Sequence, residues 1–256
     1  MDEFQVKLLL AFLVGGSYIA FTIWVSQKFG SKLGGIAIGL PSTTLVSLLF
    51  IAWTQDSQAA VSAASIVPVG IAVSCIFVAT FVNFYKRGRA QAFVIAFAVW
   101  LALNIPMALL NIRNMAVSIA ISAALFAVSL KLVSKFRHSR LESSDFSKKR
   151  FIVSAAFAGT VVATAVFAGK ALSPLWGGIA TSFPAGFTSS ILLLTGSHGI
   201  EFSASVAKAI PYGAMTTAVF AVVFYFLVPS FGLAVGTVTA YLASLAAAFV
   251  IYKTTA

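Results

Sequence analysis

Long apolar runs separated by short polar or turn-forming breaks dominate the chain. A helix that crosses the hydrocarbon core of a membrane needs about 20 mostly apolar residues. Nine runs predict such helices, at about residues 5 to 26, 33 to 53, 58 to 85, 90 to 111, 115 to 135, 151 to 169, 175 to 195, 200 to 228 and 233 to 252. The pattern therefore predicts an all-α integral membrane protein with about nine transmembrane helices.

Two of these runs are repeated later in the chain. A shift of 143 residues without a gap aligns GGIAIGLPSTTLVSLLF, residues 34 to 50, with GGIATSFPAGFTSSILL, residues 177 to 193. Pro41 and Pro68 then meet Pro184 and Pro211, and Gly70 meets Gly213. Further identical pairs are Gly34–Gly177, Gly35–Gly178, Ile36–Ile179, Ala37–Ala180, Ser47–Ser190, Leu49–Leu192, Ser62–Ser205, Ala64–Ala207 and Phe77–Phe220. The self-similarity predicts a first four-helix repeat at residues 1–113 and a second at 150–256, joined by a helix and a basic loop at residues 114–149.

The two repeats are expected to face opposite ways across the bilayer, because the unpaired fifth helix separates them. Loop charge tests this orientation, since cytoplasmic loops collect lysine and arginine. With the N-terminus outside and the C-terminus in the cytoplasm, only Lys7, Arg113 and Lys170 of the 17 basic residues fall in outer loops, and Lys208 lies within a span. The sequence thus predicts a multi-pass protein of the cell membrane built from inverted repeats.

Inverted repeats with helices interrupted by proline and glycine in corresponding positions are typical of secondary transporters, whose substrate site lies near the bilayer midplane. Each proline frees a backbone carbonyl, which needs a hydroxyl, a water or a bound solute. The residues expected to break the helices or to line the substrate path are Pro41, Thr43, Thr44, Ser47, Pro68, Gly70, Pro184, Thr188, Ser190, Pro211 and Gly213. The alternative is that the prolines only kink helices for packing and that the glycine pairs allow close helix contact.

Few charged groups lie within or next to the spans, and each is a candidate for ion coupling or charge recognition. Glu201 opens the eighth span and Lys208 lies two turns deeper on the same face, whereas the repeat-equivalent position of Glu201 is Gln58. The alternative for Glu201 is capping of a helix start, and for Lys208 it is snorkelling to the interface. Asp56 is expected to cap a helix or to lie in an outer loop.

Composition narrows the function further. The chain is 60% hydrophobic and 9% charged, with a net charge of +11. In a membrane protein an excess of basic residues indicates how the chain is oriented across the bilayer. The basic inner loops are expected to bind anionic lipid headgroups and not nucleic acid. The single cysteine, Cys75, is expected to be a packing residue. No metal-ligand or catalytic spacing is present in the sequence, so we expect neither an enzyme nor a cofactor.

The second repeat resembles the GlpM-like small inner-membrane proteins. The resemblance lies in GGIATSFPAGFTSSILLLTGSHGIEFSASVAKAIPYGAM, with a proline-bearing helix, a Gly-Ile-Glu turn and an Ile-Pro-Tyr helix. The first repeat departs from it, with Ser57 and Gln58 in place of Ile-Glu and Val69 in place of Tyr. The resemblance implies a single-repeat ancestor that was duplicated, inverted and fused, in a plan similar to the drug/metabolite transporters.

Three functions stay open at this point. The leading hypothesis is a small secondary transporter or exporter of an unidentified small solute, with alternating access between the repeats. The alternatives are a non-transporting membrane scaffold or assembly subunit, and a lipid carrier flippase that uses the basic inner loops and an apolar groove. A homodimer is compatible with each of them.

Overall fold

The computed structural model describes residues 2–28, 40–136 and 148–254, and these residues form helices without any strand. The elements are α1 (Glu3–Lys28), α2 (Ser42–Thr54), α3 (Ser57–Ala64), α4 (Val67–Phe84), a 3-10 turn (Tyr85–Arg87), α5 (Arg89–Leu109), α6 (Met115–Val133), α7 (Lys148–Ala171), α8 (Pro174–Thr181) and α9 (Ala185–Thr254). Gly34 and Gly35 lie outside the described residues.

Helix α9 is bent at two glycines. Gly199 and Gly232 both have a φ of 80°, with ψ near 175° and 167°, a conformation that is open to glycine and closed to nearly all other residues. They divide α9 into three helical segments, which we call α9a (185–198), α9b (200–231) and α9c (233–254). The predicted boundary between the seventh and eighth runs therefore falls at a real bend.

Among the described residues, four helical stretches are long and apolar enough to cross a membrane. They are Val67–Arg87, Arg89–Leu109, Met115–Val133 and the bent stretch Gly199–Thr254, and Ser42–Thr54 and Ala155–Ala171 are shorter apolar helices. The protein is thus all-helical with several candidate membrane spans, and it is compatible with a membrane location. The count of nine spans stays a prediction.

One element boundary recurs at the spacing of the sequence repeat. Helices α2 and α9 begin at Ser42 and Ala185, which are 143 residues apart. The third predicted span departs from this regularity. In the first half it is broken into α3 and α4, and Pro68 occupies the first turn of α4, where no amide donor is needed. In the second half α9b keeps helical φ and ψ through Pro211, so the expected interruption is absent there.

Helices α1 and α7 run antiparallel. Near the start of α1, the ring of Phe4 lies 4.0 Å from Lys170 Nζ at the end of α7. Twelve residues later in α1, a Cβ placed on Gly16 would lie 2.6 Å from the carbonyl oxygen of Ala155, near the start of α7. Because the contacts advance along α1 while they retreat along α7, the two helices point in opposite directions.

The contact between α1 and α7 is also reciprocal. Just as a Cβ on Gly16 would overlap the carbonyl of Ala155, a Cβ on Gly159 would overlap the carbonyl of Phe12. Under the shift of 143 residues Gly16 corresponds to Gly159 and Phe12 to Ala155. Each contact is therefore the counterpart of the other, as in the isologous interface of a twofold dimer.

Helix α4 occupies the centre of the structure. Every residue from Val67 to Val82 is buried, and the hydrophobic core around it includes side chains of α5, α6, α8 and α9. A second core joins α1, α2, α3, α7 and α9. Cys75 is one of the buried packing residues of α4, as predicted. The break between α8 and α9 packs against this central helix.

Candidate functional site

Prolines start a helix at the same position of both repeats. The carbonyl of Pro184 accepts the amide of Thr188 at 2.7 Å, and that of Pro41 accepts the amide of Leu45 at 2.8 Å. Each proline thus precedes the first turn of a helix, where its missing amide costs nothing. In the second repeat the preceding helix α8 ends at Thr181, so a true break of three residues separates α8 from α9.

The carbonyls at this break find their partners within the protein. The amide of Phe183 donates to the carbonyl of Ala180 at 3.1 Å, and Ser182 Oγ donates to the carbonyl of Gly178 at 3.0 Å. The carbonyl of Ser182 accepts a short hydrogen bond from Ser74 Oγ of α4. A helix of the other repeat therefore satisfies the backbone at the break.

The hydroxyl group of Ser74 joins α4 both to α5 and to the break between α8 and α9. Its oxygen accepts the indole N–H of Trp100 in α5 at 3.2 Å. Its proton lies within reach of the Ser182 carbonyl and of the Gly70 carbonyl, 3.0 Å away. Since a hydroxyl has one proton, donation to Ser182 gives the chain Trp100 N–H to Ser74 O–H to Ser182 C=O. All three residues are buried.

Asn104 stands beside this chain with an unpaired oxygen. Its Nδ2 donates to the carbonyl of Trp100 at 2.9 Å, whereas Oδ1 has no hydrogen-bond partner among the described residues although the side chain is only 1% exposed. A Cβ on Gly70 would lie 3.8 Å from this oxygen and 2.6 Å from Ser182 Oγ. Asn104 Oδ1 and Ser182 Oγ therefore both lie near the position that a side chain on residue 70 would occupy. Only glycine fits at residue 70 in this arrangement.

Aromatic rings close over the break. The ring of Phe183 lies 5.2 Å from that of Trp100 in a nearly perpendicular arrangement, and it also contacts Phe77, Phe97 and Phe157. Edge-to-face contacts of this kind stabilise aromatic clusters beyond the area they bury. The group formed by Gly70, Ser74, Trp100, Asn104, Ser182 and Phe183 is called the break cluster below.

Sequence reasoning found part of this cluster. Gly70 and Pro184 were expected near a helix break, and the structure brings Gly70 against Ser182. The polar members Ser74, Trp100 and Ser182 were missed, because neither the repeat nor a charge singles them out. The amide of Asn104 bonds its own helix. The amide of Asn83, by contrast, also bonds between helices and donates to the carbonyl of Leu132 in α6 at 3.3 Å.

The remaining predicted path residues lie outside the break cluster. Thr44, Ser47 and Thr188 are buried, and the hydroxyls of Ser47 and Thr188 have no partner among the described residues. Thr43 is half-buried and the side chain of Ser190 lies outside the described residues. Gly213 accepts a hydrogen bond from Thr216 Oγ1 at 2.7 Å. None of the described hydrogen bonds joins these side chains to the break cluster.

The charged candidates lie apart as well. Glu201 and Gln58 are exposed and Lys208 is half-buried. Asp56 caps α3 by accepting the amide of Ala59 at 2.7 Å, which is one of its two expected roles. Nothing in the described contacts joins Glu201 to Lys208.

An apolar groove lies between α6 and α9b. It has a volume of about 500 Å³, which is within the range of ligand sites. Its lining includes Pro68 of α4, Ser122 and Phe126 of α6, and Met215 and Val222 of α9b. Because the walls are almost entirely apolar, the groove suits a hydrocarbon chain.

Comparison with known proteins gives one match. A family of proteins of unknown function, DUF3147, matches residues 8–115. This segment covers nearly all of the four runs of the first predicted repeat and ends at Met115, the first residue of α6. No curated protein and no solved structure matches the chain.

Proposed function

We propose that this protein is a small secondary membrane transporter whose two four-helix repeats are inverted relative to each other. The observation that carries the proposal is the reciprocal, antiparallel contact of α1 and α7 through Gly16 and Gly159. Helices that are equivalent by sequence and opposite in direction are what inverted repeats require. The 256 residues then form nine spans, with the N-terminus outside and the C-terminus in the cytoplasm.

Contacts between other elements support the same arrangement. A Cβ on Gly177, near the start of α8, would lie 3.0 Å from Ile51 Cδ1, near the end of α2. Helix α8 opens the seventh predicted span and α2 closes the second, so the start of one of these repeat-equivalent spans meets the end of the other, as opposite directions require. Two inverted halves can exchange conformations, which makes an inward-open state imply a similar outward-open state.

The proposed moving part is the break between α8 and α9. Non-helical backbone at membrane depth is tolerated where it is buried in protein or lines a cavity. Among the described hydrogen bonds, that from Ser74 Oγ to the Ser182 carbonyl joins the break to α4, and it can part together with the side-chain packing around it without unfolding a helix. The match of DUF3147 to one repeat and the resemblance of the other to GlpM-like proteins support an origin by duplication of a four-helix unit.

Cysteine labelling tests the inversion directly. Gln58 and Glu201 are exposed and repeat-equivalent, so the variants Gln58→Cys and Glu201→Cys, made in a Cys75→Ala background, should react with a membrane-impermeant maleimide from opposite sides. Labelling of both variants from the same side would rule out the inverted orientation of the two repeats. For transport, proteoliposomes would be screened for flux of cations, anions and uncharged solutes, and a chain that moves none of them would be a scaffold.

A lipid flippase is the second candidate, and the apolar groove between α6 and α9b favours it. This function predicts that proteoliposomes exchange a fluorescent phospholipid between leaflets faster than empty vesicles. Ala123→Trp and Ala218→Trp would fill the groove from either wall and should slow the exchange. Solute flux that survives both substitutions would favour the transporter.

A further inference from the structure

We propose that the break cluster binds a small uncharged solute through N–H donors that pair with Asn104 Oδ1. The inference rests on the proposed transport function and names the class of solute. It starts from an acceptor that is buried and unpaired. Groups of this kind are uncommon in folded proteins, and each calls for an explanation.

The orientation of the Asn104 amide is fixed by its neighbour. Nδ2 donates to the carbonyl of Trp100 at 2.9 Å, and exchanging the two ends of the amide would place oxygen against oxygen. Oδ1 therefore faces the break, toward the point that it shares with Ser182 Oγ beside Gly70. An unpaired oxygen accepts hydrogen bonds only, so its ligand must offer a donor.

Further unpaired hydrogen-bonding capacity lies next to the break. Thr181, the last residue of α8, is fully buried, and its hydroxyl has no partner among the described residues. The hydroxyl of Ser182 bonds only its own helix and can be redirected by rotation about one bond. A solute with both donor and acceptor atoms, such as an amide, matches this mixture of groups.

The absence of charge in the sequence around the cluster selects an uncharged solute. The segments that supply its members, residues 57–85, 90–112 and 171–200, contain no aspartate, glutamate, lysine or arginine. A buried ion without a partner of opposite charge is strongly disfavoured, whereas a neutral polar group needs only its hydrogen bonds. The cluster thus offers hydrogen bonds and aromatic faces without a counter-charge.

The site is closed in this conformation. Ser182 packs directly over Gly70, and the ring of Phe183 lies against Trp100. Movement of the break away from α4 would uncover Asn104 and release the Ser182 carbonyl from Ser74. The same movement would separate the two repeats at this point. Binding of the solute and opening of the site are therefore linked.

Thermal unfolding of the purified full chain in detergent tests the inference with small probes. Acetamide carries the N–H donors, and acetone has nearly the same shape without them. Methylammonium and sodium chloride supply charged alternatives. We expect acetamide to raise the unfolding temperature in a saturable way, as a ligand of the native state does, and acetone and both salts to leave it unchanged. Equal effects of acetamide and acetone, a shift with the salts instead, or no shift with any probe would each overturn the inference.

Two variants place the effect at the cluster. Asn104→Leu removes the unpaired oxygen at similar size and should abolish the acetamide shift, whereas Asn83→Leu alters a half-buried amide away from the break and should retain it. If Asn104→Leu does not fold, Ser182→Ala should weaken the shift, and an unaltered shift in that variant would contradict the site. Solute flux without acetamide binding would refute this inference alone, and binding without flux would refute the transport function alone.

Discussion

The close contact of α1 and α7 makes a quantitative prediction about two glycines. In Gly16→Ala the new methyl group would lie 2.6 Å from the carbonyl oxygen of Ala155, and in Gly159→Ala it would overlap the carbonyl of Phe12. Backbone atoms cannot rotate away, so the helices must separate. Overpacking of this kind costs about 1–3 kcal/mol. Because the contacts are reciprocal, we expect the two variants to lose similar amounts.

A third glycine of the same helices supplies the matched control. A Cβ on Gly169 would meet its nearest neighbour at 3.4 Å, an ordinary van der Waals distance. Gly169→Ala should therefore show only the gain in helix propensity, up to about 1 kcal/mol. The difference between this control and Gly16→Ala isolates the cost of the close approach from the propensity effect that all three substitutions share.

Unfolding of the purified protein in detergent, followed by circular dichroism, measures these differences. For a chain of this size each kcal/mol lowers the unfolding temperature by roughly 2–4 °C. The double variant Gly16→Ala/Gly159→Ala should lose less than the sum of the single losses, because one separation of the helices relieves both overlaps. Single variants as stable as Gly169→Ala would refute the contact, and strict additivity would refute the shared separation of the two helices.

Three further substitutions test other parts of the structure by the same unfolding assay. Ser74→Ala should cost about 1–3 kcal/mol, because the Trp100 N–H and the Ser182 carbonyl both lose their partner; a loss no larger than that of Ser129→Ala, whose hydroxyl bonds only its own helix, would contradict the link. Asp56→Ala should cost about 1 kcal/mol through the lost cap of α3, and Asp56→Asn should restore most of it. Gly199→Ala should cost about 1–3 kcal/mol, because its φ of 80° excludes a side chain; a neutral result would mean that the bend is absent.

The sequence predicted the helix boundaries best where glycine or proline acts on its own neighbours. Pro41 and Pro184 each precede a helix start at the same point of the repeat, because a proline constrains only the residues within one turn of it. Gly199 likewise marks the start of the eighth predicted span. Local chemistry that is repeated in the sequence produces local structure that is repeated in the fold.

Tertiary context decided what the sequence did not predict. Pro68 and Pro211 are repeat-equivalent, yet the first lies in the opening turn of α4 and the second inside the continuous segment α9b. A helix can continue through a proline when its surroundings accommodate the carbonyl that loses its donor. The bond from Ser74 to Ser182 spans 108 residues of sequence, and no local pattern pairs two serines at that distance.

The break cluster has no counterpart in the sequence, although the sequence predicts two repeats. Gly88 and Gly232 both have positive φ, and each precedes the fourth helix of its predicted repeat. They are 144 residues apart, which is one residue more than the 143-residue spacing of the preceding part of the repeat. Neither a shift of 143 nor one of 144 residues brings a tryptophan or an asparagine opposite Trp100 and Asn104. The amide oxygen of Asn104 thus has no equivalent amide in the second repeat. If the two halves exchange conformations as proposed, this difference in polar side chains gives the inward-open and outward-open states unequal free energies. A solute bound at Asn104 would then change the relative populations of the two states.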